Sequence, residues 1–141
     1  MLALSALLLG SRLLPDESEK AVPWQDLTTQ VGPLTISHTD RRLFHGQAEL
    51  VEYLTQAKAS RPVPTVDFSS RQLLLVSPGP RSATGYSVEV LSAREHGDQV
   101  AVRVRERTPP LGQGVEPRVT YPYRLISLPA GKGVEVDWVG R

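Results

Sequence analysis

In most of the second half of the chain, hydrophobic residues either alternate with polar ones or run without interruption. The interior of residues 72–77 is entirely apolar, which predicts a strand that is covered on both faces. Tyr86, Val88 and Val90 alternate with polar residues, as in a strand with one buried face. A loop over residues 78–85 therefore connects two predicted strands.

This first loop combines fixed and relaxed backbone positions. Proline fixes its own backbone torsion, glycine relaxes it, and small side chains let other backbones approach closely. Such a loop favours recognition of a partner over catalysis. Its candidate partner-binding residues are Pro78, Gly79, Pro80, Thr84, Gly85 and Tyr86.

The segment after residue 90 is predicted to turn back as a hairpin whose second strand carries alternating valines. These valines are Val100, Val102 and Val104. A three-residue turn over residues 95–97, with Gly97 in the left-handed conformation, sets Val90 opposite Val102 on the core face. A two-residue turn would mix core and solvent faces, so the three-residue turn is the prediction.

Two later segments, residues 118–128 and 134–138, also alternate as strands do. In the first of them, Tyr121 and Tyr123 share a face and Pro122 lies between them. Because proline donates no ladder hydrogen bond, this strand is predicted to lie at a sheet edge or to carry a bulge at Pro122.

The first half of the chain predicts two short strands and one helix. The strands cover residues 22–28 and 34–39, and the second presents Leu34, Ile36 and His38 on one face. The helix covers residues 46–58 and is followed by a proline-rich stop. Its apolar stripe consists of Ala48, Val51, Leu54 and Ala57, with Leu50 beside them.

These elements predict an α+β fold that is mainly antiparallel β. One helix packs on a twisted sheet or a small sandwich. The chain has 141 residues, of which 40% are hydrophobic, which fits one ordinary globular domain. We expect that domain over residues 21–141, after a signal-like apolar segment and linker over residues 1–20.

Several short motifs occur in a fixed order between residues 66 and 136. They are Asp67-Phe68, the apolar strand 73–76, the loop 78–83, Thr84-Gly85-Tyr86, Thr108-Pro109-Pro110 and Tyr121-Pro122-Tyr123. This ordered set resembles the C-terminal domain of PrcB. The resemblance implies an accessory subunit that associates with a secreted protease and stabilises it, without chemistry of its own.

A second proline- and glycine-rich loop extends the candidate contact surface. It contributes Pro109, Pro110 and Gly112, and the nearby Tyr121 and Tyr123 complete the candidate set. Tyr86, Tyr121 and Tyr123 form either one aromatic surface for a partner or part of the core, since strand alternation also predicts burial.

Charge and composition exclude several classes of function. The net charge is +1, which is too small for a dedicated nucleic-acid or anionic-membrane binder. The chain has no cysteine, which excludes disulfides, a catalytic thiol and cysteine-ligated metals. No enzyme motif was found, so we expect no catalysis, cofactor or metal.

Two sets of polar residues have ordinary interpretations. Arg103, Arg105 and Arg107 line one strand face, where Glu89 is predicted opposite Arg103, so a solvated and cross-paired face is favoured over an acidic partner. The histidines are His38, His45 and His96, which we expect at the surface or beside the helix.

The first ten residues are nearly all apolar and have the length of a signal-peptide core, too short for a membrane span. We therefore expect an extracytoplasmic protein that is periplasmic, secreted or cell-surface, with no stable membrane insertion. The alternative is an amphipathic helix packed on the domain. Arg12, which interrupts the apolar run before Leu13 and Leu14, argues against the signal-peptide interpretation.

The expected partner is a protein, in particular a secreted or periplasmic protease. One alternative is a protease inhibitor, because Thr84-Gly85-Tyr86, Gly112-Gln113-Gly114 and Tyr121-Pro122-Tyr123 follow the order of the loop motifs of chagasin-like inhibitors. Their spacing argues against that fold. Another alternative is an envelope or surface-assembly module that docks a neighbour through an unpaired strand edge near Pro122.

Overall fold

A computed structural model describes residues 20–140, which form seven strands and two helices. The strands are β1 (Gln25–Asp26), β2 (Asp40–Phe44), β3 (Arg71–Ser77), β4 (Ser87–His96), β5 (Gln99–Arg107), β6 (Arg124–Pro129) and β7 (Gly133–Trp138). The helices are α1 (Thr28–Val31) and α2 (Gln47–Gln56). The signal-like segment lies outside the described residues.

The strands form two open sheets. The larger sheet has four strands in the order β1-β6-β3-β2, and the smaller has three in the order β4-β5-β7. Every pair is antiparallel except β5 with β7. The predicted α+β class with mainly antiparallel strands is confirmed.

The four-stranded sheet is the middle layer of the domain. Leu74 and Val76 of β3 pack towards the three-stranded sheet, whereas Leu73 and Leu75 pack towards the helices. Because successive side chains of a strand point to opposite faces, β3 contributes to both cores. The prediction that this strand is covered on both faces is confirmed.

The β4–β5 hairpin has the predicted faces but not the predicted turn. His96 pairs with Gln99, so the turn contains two residues, and Val90 lies opposite Val104. A bulge at Leu91 adds one residue to β4. The extra residue reverses which side chains of β4 before the bulge face the core, so that Val88 and Val90 lie on the core side.

The prediction of an edge strand, or of a bulge, at Pro122 is also wrong. β6 begins at Arg124, after Pro122, and lies between β1 and β3. Within residues 118–123 of the predicted strand, the only ladder contact is an isolated bridge from Thr120 to Arg81. Pro122 therefore stands outside the sheet, where its missing N–H interrupts no ladder. The assembly interpretation based on an unpaired edge near Pro122 loses its basis.

The predicted strand over residues 22–28 is divided between the two sheets. Ala21 forms a bridge to β4, and Gln25–Asp26 then pairs with β6 as the short β1. Pro23 lies between them, where its missing N–H interrupts pairing. Residues 27–31 turn into α1 instead of continuing as a strand.

The segment 34–39 is extended but belongs to no sheet. Leu34 and Ile36 are buried as predicted, whereas His38 is exposed. The edge position beside β3 is taken by β2, which the alternation did not identify because three of its five residues are charged.

The predicted helix is present but presents a different face. Leu50, Leu54 and Ala57 are buried against the four-stranded sheet, whereas Ala48 and Val51 are exposed. Tyr53 packs its ring against Phe44 of β2 with centroids 5.4 Å apart. The helix is therefore rotated about its axis, so that Leu50 lies on the buried face.

Candidate functional site

The two predicted contact loops lie side by side and are joined by backbone hydrogen bonds. We call residues 78–86 the first loop and residues 108–121 the second loop. Arg81 and Thr120 exchange N–H to carbonyl bonds of 2.8 Å in each direction. Thr84 donates its N–H to the Glu116 carbonyl at 3.1 Å, and the Glu116 N–H donates to the Thr84 hydroxyl at 2.9 Å. The loops form one unit, named here the loop pair.

Gly85 explains how closely the two loops approach each other. Its φ of 98° lies in the left-handed region, and a Cβ placed there would be 2.8 Å from Cγ of Pro109. A side chain at this position would therefore combine backbone strain with a clash. The prediction that small residues allow close backbone approach is realised inside the loop pair.

The first half of the first loop is packed into the domain. Pro78 and Gly79 are buried, and the Thr39 hydroxyl donates to the Pro78 carbonyl at 3.0 Å. Gly79 has a φ of 90° and approaches the Thr39 backbone so closely that a Cβ would lie 3.0 Å from its nitrogen. Pro78 and Gly79 therefore support the loop, and Pro80 is the first exposed residue.

Arg81 fastens the first loop to the three-stranded sheet. Its Nε and Nη2 atoms donate to the two carboxylate oxygens of Glu106 at 2.5 and 2.7 Å. The Tyr86 ring lies 6.0 Å from the same guanidinium. A bidentate pair of this kind fixes orientation as well as distance. The loop pair is consequently held in one position relative to β5.

The second loop exposes three aliphatic side chains. Leu111 is completely exposed, and Val119 and Val115 are 58% and 42% exposed. Pro110 and Gly112 are also exposed, whereas Pro109 is half-buried against Gly85. None of these three aliphatic residues is among the contact residues predicted from the sequence. The signal that could have identified Leu111 is its position as a single apolar residue between Pro109-Pro110 and Gly112.

The three candidate tyrosines have different environments. Tyr123 is buried, and its hydroxyl donates to the carbonyls of Thr28 and Gly32 at 3.2 and 2.5 Å. Burial, reinforced by the negative charge of Asp26, raises the pKa of Tyr123 to about 12. Tyr123 is therefore a core residue, whereas Tyr86 and Tyr121 are half-buried.

Tyr86 and Tyr121 line an open groove of about 310 Å³ between α1 and the start of β4. We call it the tyrosine groove. Its walls also include Pro33, Pro122 and Arg61. The groove adjoins the loop pair, because Tyr86 ends the first loop and Tyr121 ends the second.

Arg124 also lines the tyrosine groove. It donates from Nε to the Val88 carbonyl at 2.8 Å and pairs with Asp26 at 2.7 Å. Partial burial alone would raise the pKa of Asp26, but hydrogen bonds from Thr28 and the charge of Arg124 hold it below its usual value. Both charges of this pair are satisfied within the chain.

The basic stripe on β5 is cross-paired. Arg105 and Arg107 both contact Glu89, at 2.6 and 3.0 Å, and Arg103 lies 3.5 Å from Asp137. The favoured interpretation of a solvated, paired face is therefore confirmed. The predicted partner of Glu89 was wrong, because the two-residue turn and the bulge at Leu91 together set Glu89 opposite Arg105 instead of Arg103.

The histidines lie apart from the loop pair. His38 and His96 are exposed, and His45 beside α2 has Nε2 3.0 Å from Oε1 of Gln72. Among residues 20–140 no group of three or more His, Asp or Glu side chains is arranged to hold a metal ion. Within the same range, no helix has the length and hydropathy of a membrane span.

The fold places the motifs of the resemblance on β3 and on the loop pair, except Asp67-Phe68, which precedes β3, and Pro122-Tyr123, which follows the second loop. Residues 73–129 match the family model described as PrcB C-terminal. This segment is therefore similar to the PrcB C-terminal family. This PrcB C-terminal match confirms the resemblance and includes the whole loop pair. The family is one of protease-complex-associated domains. No curated protein and no solved structure matches the chain.

Proposed function

We propose that this chain is a noncatalytic accessory domain that binds an extracytoplasmic protease through the loop pair and stabilises or regulates it. The observation that carries the proposal is the complete exposure of Leu111 at the tip of a braced loop. The PrcB C-terminal match supports a protein partner that belongs to a protease complex. The apolar first ten residues support an extracytoplasmic location.

Exposed aliphatic side chains on an ordered loop are suited to a protein interface. Covering one such side chain stabilises a complex by about 1.5–3 kcal/mol. Leu111, Val115 and Val119 are three such side chains on the second loop, and we call them together the apolar tip.

The bracing of the loops favours binding as well. A loop that is already ordered loses little conformational entropy when a partner docks. The Arg81–Glu106 pair and the contact of Gly85 with Pro109 supply that order. The exposed side chains of the loop pair include Pro80, Pro110 and Leu111, which provide apolar contact area.

The test is purification of tagged full-length chain from its native host, followed by identification of bound proteins by mass spectrometry. We expect the wild-type chain to recover a protease, and Leu111→Ser to lower that recovery about tenfold, equivalent to about 1.4 kcal/mol. Val51→Ser is the matched control, because Val51 is an exposed aliphatic residue on α2, away from the loop pair. Recovery of no protease, or equal recovery by the Leu111 variant, would contradict the proposal.

Inhibition of papain-type proteases is a second candidate. One observation favours it, because Thr84-Gly85 and Gly112-Gln113-Gly114 lie on the same loop pair. The third motif fits less well, since Tyr123 is buried. Titration of the full chain against papain decides between the two, and the accessory function predicts no inhibition at micromolar concentration.

A further inference from the structure

The tyrosine groove offers hydrogen-bond donors that the domain does not use. Among residues 20–140, the hydroxyl groups of Tyr86 and Tyr121 bond to no protein atom, whereas that of Tyr123 bonds to two carbonyls. Tyr86 and Tyr121 both line the same open groove. This combination suits a ligand with apolar surface and exposed carbonyl oxygens.

The neighbouring strand does not offer an edge for strand addition at this point. The Val88 carbonyl at the start of β4 already accepts a hydrogen bond from Nε of Arg124. An extended ligand in the groove must therefore be held by ring stacking and side-chain donors. A polyproline II helix meets this requirement, because it makes no internal hydrogen bonds and leaves its carbonyls exposed.

The charged side chains beside the groove indicate a further property of the ligand. Arg61 is exposed and donates from Nη1 to the Thr29 carbonyl at 2.6 Å. In the described part of the chain no carboxylate pairs with Arg61, whereas Arg81 and Arg124 are each paired. Arg61 is thus the cation of this region that retains capacity for an acidic group.

We propose that the tyrosine groove binds a proline-rich segment of a protein partner, with an acidic residue of that segment beside Arg61. The proposal rests on the proposed function for the existence of a protein partner, but it uses a surface separate from the apolar tip. The prolines stack on Tyr86 and Tyr121, and the tyrosine hydroxyls donate to the carbonyls of the segment.

Calorimetric titration of the full-length chain with a defined peptide tests the proposal. The probe is a blocked proline-rich peptide of about ten residues with one glutamate, which spans about 30 Å as polyproline II. The reference peptides carry glutamine in place of the glutamate, or serine in place of the prolines. We expect saturable binding with a Kd below about 1 mM for the probe, and weaker binding for both references.

Variants locate the binding to the groove. Tyr121→Ala is expected to weaken binding about tenfold, and Arg61→Gln to weaken it about fivefold and to reduce its salt dependence. Tyr121→Phe removes only the hydroxyl and retains the ring, so a smaller loss follows even if the alanine variant is destabilised. Arg103→Gln is the matched control, because Arg103 is an exposed arginine on the face of β5 that is paired with Asp137.

The outcomes separate this inference from the proposed function. Absence of saturable binding, or equal affinity for the probe and both reference peptides, overturns the inference. Equal affinity of Arg61→Gln and wild type for the probe overturns the acidic contact at Arg61. Leu111→Ser must leave peptide affinity unchanged, so loss of protease recovery by that variant alone supports the apolar tip and not the groove.

Discussion

At the residue scale, Tyr121 and Tyr123 have separate roles although they are two positions apart. Alternation placed them on one face of a strand, but the strand begins only at Arg124. Tyr123 then points into the core towards α1, and Tyr121 remains at the groove. The Tyr123 hydroxyl contacts the carbonyl of Thr28, the first residue of α1, and that of Gly32, which follows its last residue, so it fixes the helix turn to the four-stranded sheet.

Tyr123→Phe is expected to lower the free energy of unfolding by about 1 kcal/mol, because two partly buried carbonyls lose a hydrogen bond. Chemical denaturation monitored by circular dichroism measures the change. Tyr121→Phe is the matched control and should remain within about 0.5 kcal/mol of wild type. A Tyr123→Phe variant as stable as the control would show that the two hydrogen bonds contribute nothing.

The same substitution has a predictable pH dependence. The folded-state pKa of Tyr123 is raised from 10.0 to about 12, so the folded chain holds its phenolic proton more tightly than the unfolded chain. The resulting stabilisation is complete below pH 10 and is lost as the pH rises towards 12. The stability difference between wild type and Tyr123→Phe should therefore shrink over this interval.

Local sequence predicted some features of the loop pair and missed others. The composition of the first loop identified a tight approach of small residues, which Gly85 and Pro109 realise. It did not show that Pro78 and Gly79 are buried, because the segment that covers them lies about forty residues earlier in the chain. Contacts over such sequence distances leave no periodic signal.

At the element scale, the hairpin illustrates why a correct face can accompany a wrong register. A three-residue turn without a bulge and a two-residue turn with a bulge at Leu91 both place Val88 and Val90 towards the core. The hydrophobic pattern therefore predicts the faces but does not distinguish the two arrangements. Helix α2 shows the same limitation. Its apolar residues fit more than one buried face, and packing on the sheet buries Leu50 and Leu54 but leaves Val51 exposed.

The packing between the two loops predicts unequal effects of two glycine substitutions. Gly112→Ala places a side chain at a φ of 84° in open space, so it should cost only the backbone strain of about 1 kcal/mol. Gly85→Ala adds a clash with Pro109 to similar strain at a φ of 98°. A cost of about 2 kcal/mol or more is therefore expected.

Denaturation gives the two stabilities, and amide chemical shifts show whether the loops separate. If Gly85→Ala and Gly112→Ala are equally stable and the shifts of the second loop do not change, the close approach is not an important contact. If Gly85→Ala alone shifts the amides of the second loop, the loop pair is a single packed unit.

At the scale of the whole molecule, the PrcB C-terminal match covers only the central part of the structure. Residues 73–129 contain β4, β5, β6 and nearly all of β3, but not β2, β7 or the helices. Both cores depend on residues outside the match. Phe44, Leu50 and Leu54 belong to the core on the helix side, and Val22 and Val134 to the core between the sheets.

We therefore predict that a fragment of residues 73–129 does not fold cooperatively, whereas residues 20–140 do. Removing β2 and α2 would expose Leu73 and Leu75, and each newly exposed leucine costs about 1.5–3 kcal/mol. Dispersion of amide resonances and a cooperative thermal transition are the measurements. A well-dispersed spectrum from the fragment would show that the matched segment is an autonomous domain.

The α+β class was predictable from the sequence, because the runs of apolar and alternating residues are long enough to identify most of the sheet. The exception was the charged edge strand β2, which has no alternation to detect. Charges on an edge strand protect it from pairing with other chains. The same charges remove the alternation of apolar and polar residues by which a strand is recognised.

The parallel pairing of β7 with β5 has a consequence for synthesis on the ribosome. The chain completes the β4–β5 hairpin, leaves it to insert β6 into the other sheet, and only then returns to add β7. A nascent chain that has emerged only as far as β5 carries Val100, Val102 and Val104 without Ile126 and Leu128 of β6, which belong to the same core. Such intermediates are prone to aggregation. This core is therefore complete only after β6 and β7 have emerged, and early contact with a chaperone would aid production of the protein.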